Sequence, residues 1–269
     1  MGFTTLLPAA PLSSMVEMIW DWDMPATPHR LERMLPSAKA QLTINLAEDE
    51  TRVYDDALAC QRQAGAAFDA PSNRSFIIDT AEQVAVMGVV FRAGGAAPLF
   101  RERMDLLVNA HVDLDALASG SARTLRRRLL EAADAAARLR IVHAWLLHKG
   151  GAASPHVVIA HALRAFDACP QVQRIDAIAA DCQLSPRRFG ELFREQVGMS
   201  PKRYARLQRF HHLLGQVQGS ASVDWAAVAI DCGFHDQPHL VHEFRAFSGL
   251  TPTAYLAQRG PHRHHVPLD

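Results

Sequence analysis

Apolar residues in the last third of the chain recur at helical spacing, and the whole pattern then recurs. Ile175, Ile178, Ala179 and Cys182 fall at i, i+3, i+4 and i+7, which turns one stripe toward a core. Ser185 and Pro186 then read as an N-cap and first helical residue, and Phe189, Leu192, Phe193 and Val197 form the inward stripe of a second helix ending at Gly198. Trp225, Val228, Ala229 and Cys232 repeat the first stripe. Gly233 and Phe234 make the turn, and Asp236 caps a helix with Leu240, Phe244 and Phe247 inward that stops at Gly249. Between the copies, Ser200 and Pro201 open a helix that Tyr204, Leu207, Leu213, Leu214 and Val217 carry to about Gln218.

The period is roughly fifty residues, the mark of a duplicated supersecondary unit. Gly198-Met199-Ser200-Pro201 through Tyr204 returns as Gly249-Leu250-Thr251-Pro252 through Tyr255, and the offset grows by one residue at the turn, where His235 reads as an insertion. A connecting helix of about 19 residues spans ~28 Å, near the ~34 Å between successive major-groove faces of B-DNA. Such a rod suits two recognition helices on one side of a duplex.

Charge strengthens that reading. The chain is neutral overall, yet between positions 187 and 209 seven cations (Arg187, Arg188, Arg194, Lys202, Arg203, Arg206, Arg209) face only Glu191 and Glu195. A solvated helix surface is the ordinary fate of such a run; its coincidence with two helix-turn-helix signals favours phosphate binding. Arg194 and Arg245, equivalent in the repeat, are expected as phosphate clamps or intradomain ion pairs.

The run Ala179 through Leu184-Ser185-Pro186-Arg187, Phe193-Arg194 and Gly198-Met199-Ser200-Pro201, followed by Val228-Ala229, Cys232-Gly233-Phe234, Asp236-Gln237, Glu243-Phe244-Arg245 and Gly249-Leu250-Thr251-Pro252, resembles the DNA-binding domain of the AraC/XylS family of bacterial transcriptional regulators. The resemblance implies a double helix-turn-helix that binds promoter DNA, usually activates, and contacts RNA polymerase. Position by position it implies base readers Arg187, Arg188, Gly190 and Glu191 in the first unit, and Gln237, Pro238, His239, Val241 and His242 in the second. Pro238 stands where the family commonly has a small hydroxyl residue, and His242 and Glu191 where it often has arginine. A glutamate there accepts from cytosine N4, and His242 forgoes the bidentate guanine contact of arginine. Lys202, Arg203, Arg194 and Arg245 are the expected phosphate contacts.

The first hundred residues alternate in short stretches. Residues 15–22, 41–46, 51–54, 75–79 and 84–91 are β-forming runs separated by turn residues, and they predict a small barrel or sandwich. The segment Val89 to Leu99 resembles a cupin-like sensor subgroup of the same regulators, which implies an effector-sensing role and names no ligand. Trp20, Trp22, Tyr54, Phe76 and Phe91 are read as core, or as walls if a ligand cavity exists. Arg92 is read as a surface ion pair, with an anionic effector as the alternative. A metal site is not expected: close-spaced histidines with a Glu and a third His are needed, and His29 and His111 stand apart.

From about Leu99 the period becomes helical. Leu125, Leu129, Ala132, Ala136, Leu139, Val142 and Leu146 fit one or two helices that pack on the barrel and pair with a second subunit, and a further helix covers Pro155 to Phe166. Gly150-Gly151 and Cys169-Pro170 act as breaks. The expected class is therefore α+β: a cupin-like β sensor over 1–100, a helical connector over 101–168, an all-α double helix-turn-helix over 170–260, and a disordered tail over 261–269 with His262, His264 and His265 as weak, adventitious metal binders.

At 269 residues and 49% hydrophobic content, two domains with real cores are expected. No apolar run reaches ~20 residues, and no Lys or Arg precedes Arg30, so neither a membrane span nor a signal peptide is expected and the location is cytoplasmic. Four cysteines lack C-x-x-C spacing; Cys182 and Cys232, at matching helix ends, are read as packing residues, and no disulfide, zinc or cofactor is expected. The reading is a transcription factor, not an enzyme, that binds a small molecule and promoter DNA, possible as a homodimer. The rivals are a cupin-like enzyme fused to a DNA-targeting module and a ligand-independent regulator set by its abundance.

Overall fold

Alternation along the amino-terminal half buries one face of the central strands and turns the other toward a second layer. The computed structural model describes residues 2–25, 29–150, 153–168, 175–220 and 222–268. The strands are β1 (Gly2–Leu6), β2 (Val16–Asp23), β3 (Leu31–Met34), β4 (Gln41–Asn45), β5 (Glu50–Tyr54), β6 (Cys60–Ala64), β7 (Ala66–Asp69), β8 (Phe76–Asp79), β9 (Ala85–Phe91), β10 (His111–Asp113) and β11 (His265–Leu268). They form two antiparallel sheets, a six-stranded one in the order β1-β2-β9-β4-β7-β10 and a five-stranded one in the order β11-β3-β8-β5-β6.

Helices α1 (Ala96–Phe100), α2 (Leu114–Leu117), α3 (Ser121–Leu130) and α4 (Ala135–Gly150) follow or interrupt the strands. The amino-terminal core lies between the six-stranded sheet and these helices. Ile19, Leu42, Ile44, Phe68, Met87, Val89 and Phe91 meet Leu99, Phe100, Leu125, Leu129, Leu139, Val142 and Leu146. Arg138 of α4 pins the same face through Asp21 at 2.6 and 2.9 Å. The helices expected as a connector are thus half of the domain's core, and β10 extends the sheet past the boundary placed at residue 100.

The opposite face of the six-stranded sheet turns toward the five-stranded one, where Phe76 stands edge-on to His111 at 4.6 Å. Trp20 lies across Gly88 there, so close that a Cβ on Gly88 would sit 2.2 Å from the indole; only glycine fits. Phe91 lies in the core: it packs with Phe68 and Phe100 on the helix-covered side, not in the space between the sheets.

The carboxy-terminal helices are α5 (Val157–Ala168), α6 (Ile175–Asp181), α7 (Pro186–Val197), α8 (Pro201–Val217), α9 (Trp225–Asp231), α10 (Gln237–Ser248) and α11 (Pro252–Gln258). Their ends are those the capping residues dictate. Ser185, Ser200, Asp224, Asp236 and Thr251 each accept a backbone N–H of the following turn. Gly198 and Gly249 close α7 and α10 in the left-handed region at φ +90° and +74°. The turn inside each unit also needs a left-handed residue: Gly233 supplies it at φ +75°, and Gln183 takes the same conformation at φ +56° in the first copy. α8, at 17 residues, is a rod of about 25 Å.

One core serves both units. Phe189, Phe193, Leu207, Phe210, Leu214, Leu240, Phe244, Phe247 and Tyr255 are buried in it, together with Ile159, Ala162 and Phe166 of α5. α5 therefore packs with the helix-turn-helix core, although it was expected in the connector. The boundary expected at Cys169-Pro170, and Gly151, lie outside the described residues. Cys232 is buried and its thiol is pushed up to about 11 by burial, which fits a packing role.

The amino-terminal domain touches this core directly. Leu35, Ala38 and Val266 belong to it, and Gly198 packs against Pro71, the Met104 carbonyl and Val108. His211 of α8 binds the Pro36 carbonyl through Nε2 at 2.8 Å. The tail is corrected too. Residues 265–268 form β11 on the edge of β3, because Val266 fills an apolar site and the β3 edge offers free backbone groups. Among the described residues no His, Cys, Asp and Glu cluster is arranged to hold a metal.

Burial pushes His211 down to about 4, with Lys39 and Arg263 acting in the same direction. The folded ring stays neutral where an unfolded one, near 6.5, takes a proton. Its contribution to stability is therefore complete above pH 6.5 and is lost as pH falls from 6.5 through 4. Urea midpoints should drop between pH 7 and 4.5, and the drop should shrink in His211→Asn; an unchanged slope in that variant would remove His211 as its source.

Candidate nucleic-acid interface

Each unit presents one helix whose inner stripe is buried and whose first turn is free. On α7, Arg187 and Arg188 are 90% and 55% exposed in their side chains. Glu191 sits between them, 3.0 Å from Arg187 Nε and 3.6 Å from Arg188 Nη1. The Arg187 hydrogen bond, with Arg188 beside it, holds the Glu191 carboxyl below its ordinary value. Gly190, between Arg188 and Glu191, is half-buried.

On α10, Asp236 accepts the His239 N–H at 2.7 Å and also binds His235 Nδ1 at 3.0 Å. The His235 backbone N–H donates to His239 Nδ1 at 3.2 Å. Gln237, Pro238, Val241, His242 and Arg245 line an open depression of about 460 Å³. Gln237, Pro238, His242 and Arg245 are exposed, as are Arg194 and Lys202 in the first unit.

The cation cluster divides in two. Arg206 makes a bidentate bond to Glu243 of α10, 2.7 Å on each arm. Burial would raise the Glu243 carboxyl, and the Arg206 guanidinium outweighs it and holds the group low. Arg209 lies 5.5 Å from the Phe234 ring, and Arg203 lies 4.8 Å from Phe247 while donating to the Asn73 carbonyl at 2.7 Å. Burial lowers both guanidinium groups. Arg203, expected as a phosphate contact, is placed instead between the two domains. Four of the seven cations, Arg187, Arg188, Arg194 and Lys202, stay on the surface. The signal for the internal pair was in the repeat: Glu243 occupies the position of buried Leu192, and a charge at a repeated apolar site requires a partner.

In the amino-terminal domain, Asp69 takes hydrogen bonds from Thr43 at 2.7 Å and His111 at 2.7 Å. Trp20, Thr43, Val90, His111, Phe76 and Ile78, on the facing sides of the two sheets, are all half-buried. Tyr54 binds Asp79, the residue that Arg30 also pairs with, and shares a face with Ile77, its cross-strand partner, opposite to Ile78. Arg92 donates to the Ser13 carbonyl at 2.8 Å, a backbone role in place of the expected ion pair.

Residues 178–258 match a family profile described as a helix-turn-helix domain, and residues 4–113 match a domain of unknown function, DUF6597. Comparison with curated protein sequences finds no match. Among solved structures, the chain is similar to an AraC-type regulator from Chromobacterium violaceum, with 24% identity over 38% of this chain and 95% of that one, TM-score 0.34. It is similar to the DNA-binding domain of AdpA in complex with a target DNA, with 26% identity over 37% and 89%, TM-score 0.33. ToxT from Vibrio cholerae, solved with an unsaturated fatty acid, covers 94% of each chain at 10% identity and TM-score 0.45. Among the described residues no helix is long and apolar enough to cross a membrane. Residues 178–258 thus belong to a helix-turn-helix domain family, and residues 4–113 to a domain family of unknown function.

Proposed function

We propose that the chain is a one-component regulator that reads promoter DNA with the first turns of α7 and α10 and is controlled by a small molecule held between the two amino-terminal sheets. The observation that carries the reading is the pair of capped helices, each with its apolar stripe sunk in one shared core and its amino-terminal turn exposed, joined by the single rod α8. Arg187, Arg188 and Glu191 read one half-site; Gln237, His239 and His242 read the other; Arg194, Lys202 and Arg245 hold phosphates. Arg203 joins them only on leaving Asn73.

The half-exposed facing surfaces support an effector site with an aromatic floor at Trp20 and Phe76 and a polar end at His111 and Asp69. A cupin-like ancestry of these sheets, pairing of two chains through the α3–α4 layer, where Leu130 is exposed, activation through RNA polymerase and a cytoplasmic location complete the proposal.

The test separates readers from holders. Arg187→Ala should cost about 1–3 kcal/mol at one base position and relax the selected sequence there. Lys202→Ala should weaken all sequences alike and reduce the salt slope by about 1. A selected sequence unchanged by Arg187→Ala would show that α7 is not the reader.

A further inference from the structure

The chain's last strand joins its two domains. β11 adds to the edge of β3 in the register His265↔Met34, Val266↔Arg33, Pro267↔Glu32 and Leu268↔Leu31, and the Leu35 N–H reaches the His264 carbonyl at 2.9 Å. On its other side the same segment holds the DNA-binding domain. The Tyr255 hydroxyl donates to the Arg263 carbonyl at 2.9 Å, Val266 is 0% exposed within the helix-turn-helix core, and the His264 ring packs against His211 of α8 at 4.9 Å.

We propose that this carboxy-terminal strand is a releasable clasp: while paired to β3 it restrains the two helix-turn-helix units on the amino-terminal domain and lowers their affinity for DNA. The proposal rests on the DNA-binding reading above.

What the clasp restrains is the part that must adjust. α8 sets the spacing of the two reading helices, and His211 ties it to Pro36 beside the strand. Arg203, at the start of α8, spends its guanidinium on the Asn73 carbonyl and cannot serve a phosphate in that position. The first unit's Gly198 turn is covered by Pro71, Met104 and Val108, whereas its counterpart Gly249 has only the Arg33 guanidinium nearby.

The attachment is also weak enough to open. β11 has four residues and occupies a sheet edge. A short edge strand belongs to the low end of the local-unfolding scale. A handle for release lies next to it. Glu32 shares its two carboxylate oxygens between His29 at 2.5 Å and His265 at 2.8 Å. Cross-strand pairing puts Glu32 on the same face as Ile78, toward the space between the sheets. A ligand in that space that engages Glu32 would compete with His265.

Three forms of the full protein decide the matter: wild type, a chain ending at Gly260, and Leu31→Cys with Leu268→Cys in a Cys60→Ser background, oxidised and reduced. Leu31 and Leu268 are cross-strand partners, close enough for a disulfide. The readouts are hydrogen exchange of the β3 amides and affinity for the DNA sequence that wild type itself selects. Truncation should speed β3 exchange and tighten DNA binding about 5- to 150-fold, the usual range of allosteric coupling. The oxidised staple should bind more weakly than its reduced form, and reductant should restore it. Equal affinity of oxidised and reduced staple, or unchanged or weaker binding by a truncated chain that still melts cooperatively, overturns the clasp. Unchanged β3 exchange on truncation overturns the pairing alone, and failure of every form to bind any DNA overturns the reading beneath it.

Discussion

Phe193→Ala should remove about 3–5 kcal/mol of stability, the range for deleting a fully buried aromatic side chain. Phe193 is 0% exposed and its ring touches those of Phe166, Phe189 and Tyr204 at 5.6, 5.7 and 5.4 Å. These partners come from α5, α7 and α8, so the cavity would open where the first unit joins both its rod and its supporting helix, and little of it can collapse. Urea titration should give a lower midpoint at a similar slope. Leu106→Ala, at a side chain 74% exposed, should stay within about 0.5 kcal/mol. A Phe193 variant as stable as the Leu106 variant would mean that the shared core is not what holds the first unit.

The second large effect is electrostatic. Glu243 is 8% exposed and receives both arms of Arg206, which is 31% exposed. Removing one partner of a buried pair costs about 3–5 kcal/mol; with Arg206 partly wet, about 2–4 kcal/mol is expected for Glu243→Ala. Replacing the pair should cost far less. Glu243→Leu with Arg206→Met restores the apolar side chain that the first copy has at Leu192 and leaves no charge unpaired. The double variant should therefore be more stable than Glu243→Ala, and a cycle over wild type, Glu243→Leu, Arg206→Met and the double variant should give a coupling of at least ~1 kcal/mol. Additive losses would mean that Arg206 and Glu243 do not act on one another.

Much of this was legible in order. The apolar stripes and caps place α6 to α11 because helix ends are set locally, by Ser185, Ser200, Asp236, Thr251, Gly198 and Gly249 and the residues that follow each. The expected reading residues came from the family resemblance, position by position. What was not legible depends on contacts between distant segments. Nothing near Arg203 announces Asn73, 130 residues away along the chain, and nothing in the Pro- and His-rich tail announces an open strand edge at Leu31 to Met34. The sheet residues were partly legible: alternation found most strands and could not say which face meets helices, so Phe91 was grouped with Trp20 although the two point to opposite sides of the sheet.

One molecule is expected to grip two successive turns on one face of a duplex. Hydroxyl-radical footprinting of the selected sequence measures this directly. The prediction is two protected patches per bound chain, centred about 10–10.5 base pairs apart on the same face, with Arg187→Ala weakening one patch and Gln237→Ala the other. A single short patch, or two patches on opposite faces, would contradict it.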